Sequence, residues 1–224
     1  MYRNELKFLI NAHQKNLMAI KLSKIFQRDP FSDADGGYLI SSLYFDDYHQ
    51  SAFFDKLSGV RDRKKFRVRV YNYQPNVIKL ERKIKRVNVI EKSHLQISKE
   101  EYDMLICGDV GFLGHKDNLV AKDFYLCYRT KNLRPRVVVE YRREAFIYKF
   151  GDVRITFDYS LKAGVFQNDL FSNGYMISAI PQDQIILEVK YTGYIPDIVR
   201  NIIQINNLQW QSSSKYAKCF VVGM

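Results

Sequence analysis

Residues 3–10 alternate: Asn4, Leu6, Phe8 and Ile10 fall on one side, and Arg3, Glu5, Lys7 and Leu9 on the other. A period of two predicts a β-strand, because successive side chains of an extended chain point to opposite faces. Residues 13–26 instead place Leu17, Ile20, Leu22 and Ile25 near helical spacing, and Pro30 closes the unit. Residues 38–45 are aromatic and predict a second strand; residues 51–57 predict a short helix. Three strands are then predicted in succession, at 64–72, 77–85 and 89–97, with a turn at Gln74-Pro75-Asn76 after the first. Ser98, followed three residues later by Glu101, predicts a capped helix start. More helix is predicted at 117–131. Residues 137–148 and 153–161 predict a hairpin across Gly151-Asp152, and 184–191 the last clear strand. Residues 196–205 predict a helix with Pro196 in its first turn, and 212–222 a short one carrying Lys215. About eight strands and four or five helices result. Short hairpin connections favour antiparallel pairing, and eight strands suffice to close a narrow barrel. The expected fold is therefore α+β: an eight-stranded antiparallel β-barrel with flanking helices, spanning 1–224 as a single domain.

The balance of charge narrows the partners. Lys and Arg number 35 against 24 Asp and Glu, a formal +11, which points to polyanions without choosing among nucleic acid, anionic membrane and phosphate compounds. Cys107, Cys127 and Cys219 are odd in number and widely spaced, which argues against a disulfide framework and a structural zinc site and favours a reducing, cytoplasmic setting. The start, Met1-Tyr2-Arg3-Asn4-Glu5, has no apolar stretch of the kind a secretory signal needs. No uncharged apolar run approaches the roughly 18–20 residues that cross a bilayer, so a soluble protein is expected unless a membrane-protein partner anchors it.

The recurring charges carry the chemistry. Lys65, Arg67, Arg69 and Tyr71 share one strand face, opposite Phe66, Val68 and Val70. Lys79, Glu81, Lys83 and Lys85 share another, opposite Ile78, Leu80 and Ile84. The pair Glu-x-Lys appears on three strands, as Glu5/Lys7, Glu81/Lys83 and Glu188/Lys190. A spacing of two keeps both side chains on one face. Carboxylates concentrated with cations suit a metal–triphosphate complex: oxygens hold a hard divalent ion, while Lys and Arg neutralise phosphate oxygens. The competing reading is a sheet with an ordinary solvated charged face, and periodicity alone does not decide which face lies inside.

These residues resemble the triphosphate tunnel metalloenzyme (CYTH-like) superfamily, and within it the VTC (vacuolar transporter chaperone) domain of the polyphosphate polymerase branch. The resemblance runs from Arg3-Asn4-Glu5-Leu6-Lys7 through Tyr44-Phe45-Asp46, Lys65 to Tyr71 and Leu80-Glu81-Arg82-Lys83. It continues through Tyr141 to Phe146, Arg154 to Asp158 and Leu187 to Tyr191, and ends at Ser214-Lys215-Tyr216. It implies a tunnel barrel in which Lys7, Arg67, Arg69, Lys83, Arg143, Arg154 and Lys215 contact phosphates. Glu188 would be the main metal carboxylate and Glu5 a secondary one, with Mn2+ or Mg2+ as the metal. Arg67, Arg69, Lys83 and Glu188 would form the catalytic set. The implied reaction moves the γ-phosphoryl of ATP to a growing polyphosphate and releases ADP. Hydrolytic tunnel enzymes typically begin Glu-x-Glu-x-Lys; Arg3 stands here in place of the first Glu, which suits the VTC branch better than a triphosphatase.

Phosphoryl transfer asks mainly for positioning and charge stabilisation, and a terminal phosphate oxygen attacks already ionised, so no His-based general base is required. His13, His49, His94 and His115 are scattered and read as surface or loop residues. Lys83-Ile84-Lys85-Arg86 looks like a nucleic-acid patch but reads better as strand. There is no GxxxxGK[ST] loop and no aromatic RNA-stacking signature, so no specific nucleic acid is expected as partner. The alternatives to a polymerase acting on ATP and polyphosphate are a tripolyphosphate or organic-triphosphate hydrolase and a non-catalytic polyphosphate- or nucleotide-binding module.

Overall fold

A computed structural model of the chain describes residues 3–87, 89–165, 167–204, 207–210 and 213–223. The elements in chain order begin with β1 (Arg3–Asn11), α1 (Ala12–Ser23), β2 (Gln27–Arg28), β3 (Tyr38–Asp46) and α2 (Ser51–Leu57). The meander β4 (Arg63–Tyr71), β5 (Gln74–Arg86) and β6 (Val89–Ile97) leads into α3 (Lys99–Cys107), α4 (Gly111–Gly114) and α5 (Leu119–Lys131). Then come β7 (Arg134–Tyr148), β8 (Val153–Gly164), β9 (Met176–Ser178), β10 (Gln184–Thr192), α6 (Asp197–Ile203) and α7 (Lys215–Val222).

The strand order is β1-β10-β8-β7-β3-β4-β5-β6, with β2 added to β7 and β9 to β8. The expected α+β architecture, eight main antiparallel strands with flanking helices, is present. The sheet is open in its hydrogen-bond order, with β1 and β6 as its edges. Strand count permits a barrel, whereas a closed ladder also needs matched edges and shear, which a count does not encode.

Local chemistry sets the boundaries. At the start of α3 the Ser98 side chain accepts from the Glu101 amide while the Glu101 side chain accepts from the Ser98 amide, the reciprocal cap its sequence predicts. The helix expected at 117–131 begins at Leu119, because the Asn118 side chain accepts from the amides of Val120 and Ala121. The turn expected at Gln74-Pro75-Asn76 lies earlier. The chain reverses at Asn72 and Tyr73, both left-handed with φ 49° and 57°, and Gln74 already pairs with Tyr71. Pro75 drew the prediction, yet proline is tolerated near a strand start. The elements β2, β9 and α4 are too short to show a period. Ile205 and Ser212, at the ends of two predicted helices, lie outside the described residues.

The chain divides into two compact units. The first comprises Met1–Leu39, Tyr141–Leu161 and Ile180–Ser214; the second comprises Ile40–Glu140, Lys162–Ala179 and Lys215–Met224. In the first, one face of β1, β10 and β8 presents Phe8, Ile10, Leu187, Val189, Ile155 and Phe157, which pack with Met18 and Leu22 of α1 and Val199 and Ile203 of α6. In the second, Leu43, Phe45, Phe66, Val68 and Leu80 pack with Tyr102 and Leu105 of α3 and Phe124 of α5. The helices thus cover the apolar face in each unit and leave the charged face on the other side of the sheet.

Candidate functional site: two clusters on the charged faces of the sheet

The charged faces are not ordinary solvated surfaces. In the first unit Glu188, Arg143, Asp158 and Thr156 are each under 10% exposed, at 4%, 8%, 1% and 0%. Burying charge without partners is prohibitive, so each of these groups must be paired or await a ligand. Antiparallel register supplies the pairs. β1 and β10 align Glu5 with Lys190 and Lys7 with Glu188, so each Glu-x-Lys answers the other. Lys7 Nζ lies 3.0 Å from Glu5 Oε1 and 3.2 Å from Glu188 Oε1. The other Glu188 oxygen, Oε2, has Lys190 Nζ at 2.9 Å and Arg143 Nη2 at 3.9 Å. Glu188 is the hub of this face, held by three cations.

Beside it, Arg143 grips Asp158 with two parallel bonds, Nε to Oδ1 at 2.6 Å and Nη2 to Oδ2 at 2.7 Å. Burial by itself would lower the Arg143 pKa, but the Asp158 carboxylate, aided by Glu188, holds it well above the ordinary arginine value. Arg154, which pairs with Lys190 in the β8–β10 register, reaches Asp29 at 2.5 Å and the Tyr38 hydroxyl at 3.0 Å.

The second unit carries a different balance. One face of β4 and β5 holds Arg63, Lys65, Arg67, Arg69, Lys79, Lys83 and Lys85 against the single carboxylate Glu81, all buried or half-buried. The register sets Arg67 against Glu81, Lys65 against Lys83 and Arg69 against Lys79. Arg67 Nε donates to Glu81 Oε2 at 2.7 Å and its Nη1 to the Tyr44 hydroxyl at 2.8 Å. Arg69 Nε donates to Ser42 Oγ at 3.2 Å, and its Nη1 stands 3.8 Å from Glu81 Oε1. Burial alone would raise the Glu81 pKa, but Arg67 and then Arg69 bring it down to about 2. Next along the face, Lys65 Nζ sits 4.5 Å above the Tyr216 ring, whose hydroxyl donates to buried Asp46 at 2.6 Å. Burial lowers Lys65 to about 8, partly opposed by Asp46.

Of the residues singled out in the sequence, Lys7, Glu5, Glu188, Arg143 and Arg154 gather in the first unit. Arg67, Arg69 and Lys83 share the basic row of the second, and Lys215 opens α7 in that same unit. Sequence reasoning did not assign roles to Asp158, Asp29, Lys65 or Tyr216. Asp158 and Lys65 were within reach of pattern, as extensions of the Arg154-x-Thr156-x-Asp158 and Lys65-x-Arg67-x-Arg69 alternations. Asp29 lies in a loop and Tyr216 on a helix, and no period connects either to its partner. All four histidines are exposed.

Among the described residues no group of three or more His, Cys, Asp or Glu side chains converges as a metal cage. Two carboxylates, Glu5 and Glu188, flank one ammonium. Such a pair of hard oxygen donors fits a divalent ion that takes its remaining ligands from phosphate and water, the usual habit of Mg2+.

Solved structures place this architecture. A protein of Hippeastrum, named as a candidate adenylyl cyclase with a dominant triphosphatase activity, superimposes with a TM-score of 0.59 at 12% identity, covering 100% of this chain and 97% of its own. A candidate adenylate cyclase of Bacillus halodurans gives 0.54 at 12% identity, covering 96% of each chain. A Pyrococcus horikoshii protein gives 0.50 at 14% identity, covering 99% of each. The fold is that of the triphosphate tunnel proteins. A family model for the VTC domain matches residues 2–222, and the chain belongs to that family. No curated protein matches it.

Proposed function

We propose that this protein is a metal-dependent phosphotransferase that moves the γ-phosphoryl of ATP onto the end of a polyphosphate chain. The observation that carries this reading is the row of seven cations against one carboxylate on β4 and β5, partly withdrawn from bulk water. Membership of the VTC domain family and the triphosphate tunnel fold support the coarser statement, a triphosphate-binding enzyme of phosphoryl transfer or hydrolysis.

In this reading Arg67, Arg69 and Lys83 hold the triphosphate. Their fixed charge stabilises the oxygens of the transferring group, and a partly dry setting strengthens each contact. Arg143, Arg154, Lys7 and Lys215 gather the remaining phosphates or the acceptor. Glu188, with Glu5, would hold the divalent ion, Mn2+ or Mg2+, which neutralises phosphate charge when bound. A terminal oxygen of the acceptor forms a bond to Pγ while the bond from Pγ to the β–γ bridging oxygen breaks, and ADP leaves with that electron pair. The attacking oxygen is already anionic, so no proton need be removed.

The test is a product assay with ATP and Mn2+, resolving polymer on a stained gel while ADP and free phosphate are measured. A polymer ladder with matching ADP supports the polymerase. Free phosphate without polymer would replace it with a triphosphatase. Arg67→Ala and Arg69→Ala are expected to cost roughly tenfold or more in tripolyphosphate affinity each, with the fold retained.

A further inference from the structure

Three enclosed hydroxyls have no hydrogen-bond partner among the described residues, Ser32 Oγ, Thr156 Oγ1 and Ser213 Oγ, and the last two belong to residues that adjoin the Lys7–Glu188 pair. Thr156 is wholly buried, and its Cα is paired with that of Glu188 in the β8–β10 register, so both side chains leave the sheet on one face. Its neighbours on that face are engaged: Arg154 by Asp29 and Asp158 by Arg143. Ser213 meets the same pair from a different segment, its backbone carbonyl accepting from Lys7 Nζ at 3.4 Å.

A buried hydroxyl with no partner lowers stability, and native folds leave few of them. Valine has the shape of threonine and would fill this place without that cost. Two such groups beside one ion pair therefore point to an acceptor that arrives with a ligand. The surrounding charge selects its chemistry. Lys7, Lys190 and Arg143 converge on Glu188, and an anionic oxygen acceptor entering their midst accepts hydroxyl donors as well as cations.

We propose that Thr156, seconded by Ser213, is a phosphate-binding residue whose hydroxyl donates to a non-bridging oxygen of a phosphate chain seated at the Lys7–Glu188 cluster. This rests on the reading of the protein as a triphosphate-binding enzyme. It predicts an unusual combination: removing the hydroxyl weakens binding while leaving the free protein as stable or more so.

The experiment titrates inorganic tripolyphosphate by calorimetry into the wild-type protein, Thr156→Val and Thr156→Ser, with melting temperatures measured in the absence of ligand. Thr156→Val is expected to melt at or above the wild type and to lose roughly tenfold in affinity, the effect of one hydrogen bond to a charged oxygen. Thr156→Ser is expected to stay within about twofold of wild-type affinity, since it keeps the donor. Should the valine variant pack poorly and melt low, Thr156→Ala, which adds no bulk, reads the same loss of affinity. Wild-type affinity in the valine or alanine variant overturns the role of Thr156 alone. Absence of binding by the wild type overturns the functional reading beneath it.

Discussion

Lys7 on β1 and Glu188 on β10 stand directly opposite each other, Nζ 3.2 Å from Oε1, and the same ammonium also reaches Glu5. The lysine bridges the two carboxylates proposed for the metal. A divalent ion held there by Glu188 and Glu5 would compete with Lys7 for the same oxygens.

Glu188→Gln keeps the shape of this hub and removes its charge. Turnover of ATP to ADP is expected to fall at least about a hundredfold, a magnitude common for loss of a charged catalytic contact. The melting temperature is also expected to drop, since Lys7, Lys190 and Arg143 lose their shared anion. Wild-type turnover in this variant would remove Glu188 from the catalytic set.

Lys65, its pKa lowered to about 8 by burial, is expected to make the proposed phosphate binding pH dependent. Asp46, Asp55, Lys56 and Arg63 act on it through their charges, and it faces Lys83 across the ladder. A lowered lysine pKa means that the folded state disfavours the ammonium. That penalty is fully present below pH 8 and is relieved as pH rises from 8 towards 10.5. Tripolyphosphate affinity is expected to move the opposite way, weakening as pH rises through 8. Lys65→Arg, charged throughout, is expected to flatten this profile, and a titration series between pH 6.5 and about 9.5 reads both.

Glu81 titrates near pH 2 because Arg67 and Arg69 outweigh its burial. A depressed carboxylate contributes stability that is present above its unfolded pKa of 4.5 and is lost as pH falls from there towards 2. The contribution is on the order of 3 kcal/mol. Glu81→Gln is expected to lower stability at pH 7 and to flatten acid denaturation in that window, as followed by circular dichroism. An unchanged acid profile would mean that the ion pair contributes nothing.

Asp158 is 1% exposed and accepts two bonds from Arg143. Asp158→Asn takes from the buried guanidinium its nearest carboxylate, leaving Glu188 at 3.9 Å, and is expected to cost about 3–5 kcal/mol in urea unfolding. Asp117, exposed and paired with exposed Lys122, is a control: Asp117→Asn is expected to change stability by less than about 1 kcal/mol.

The strands were legible because a half-buried strand writes its period into every second residue, as at Leu6, Phe8 and Ile10 or Phe66, Val68 and Val70. The three Glu-x-Lys pairs were legible for the same reason. The turn at Asn72 and Tyr73 was not, because nearby Pro75 is the stronger local signal although the left-handed backbone lies before it. Thr156 gave no signal: a threonine in a strand stands out only when its hydroxyl is seen to have no partner among the described residues.

What the chain by itself determined is local. It includes the alternation that puts Lys65, Arg67 and Arg69 on one side, the cap at Ser98, and the excess of cations. Tertiary structure decided which of those faces is withdrawn from water and which charge meets which. Lys7 and Glu188 are distant in sequence, and only the β1–β10 register aligns them. Asp29 leaves a loop to hold Arg154, and Tyr216 comes from α7 to lie under Lys65. The physical reason is that side-chain period is a property of each strand alone. Register and burial belong to pairs of strands and the helices packed on them, so the same alternating residues become a solvated surface or a buried charged face only when the chain has folded.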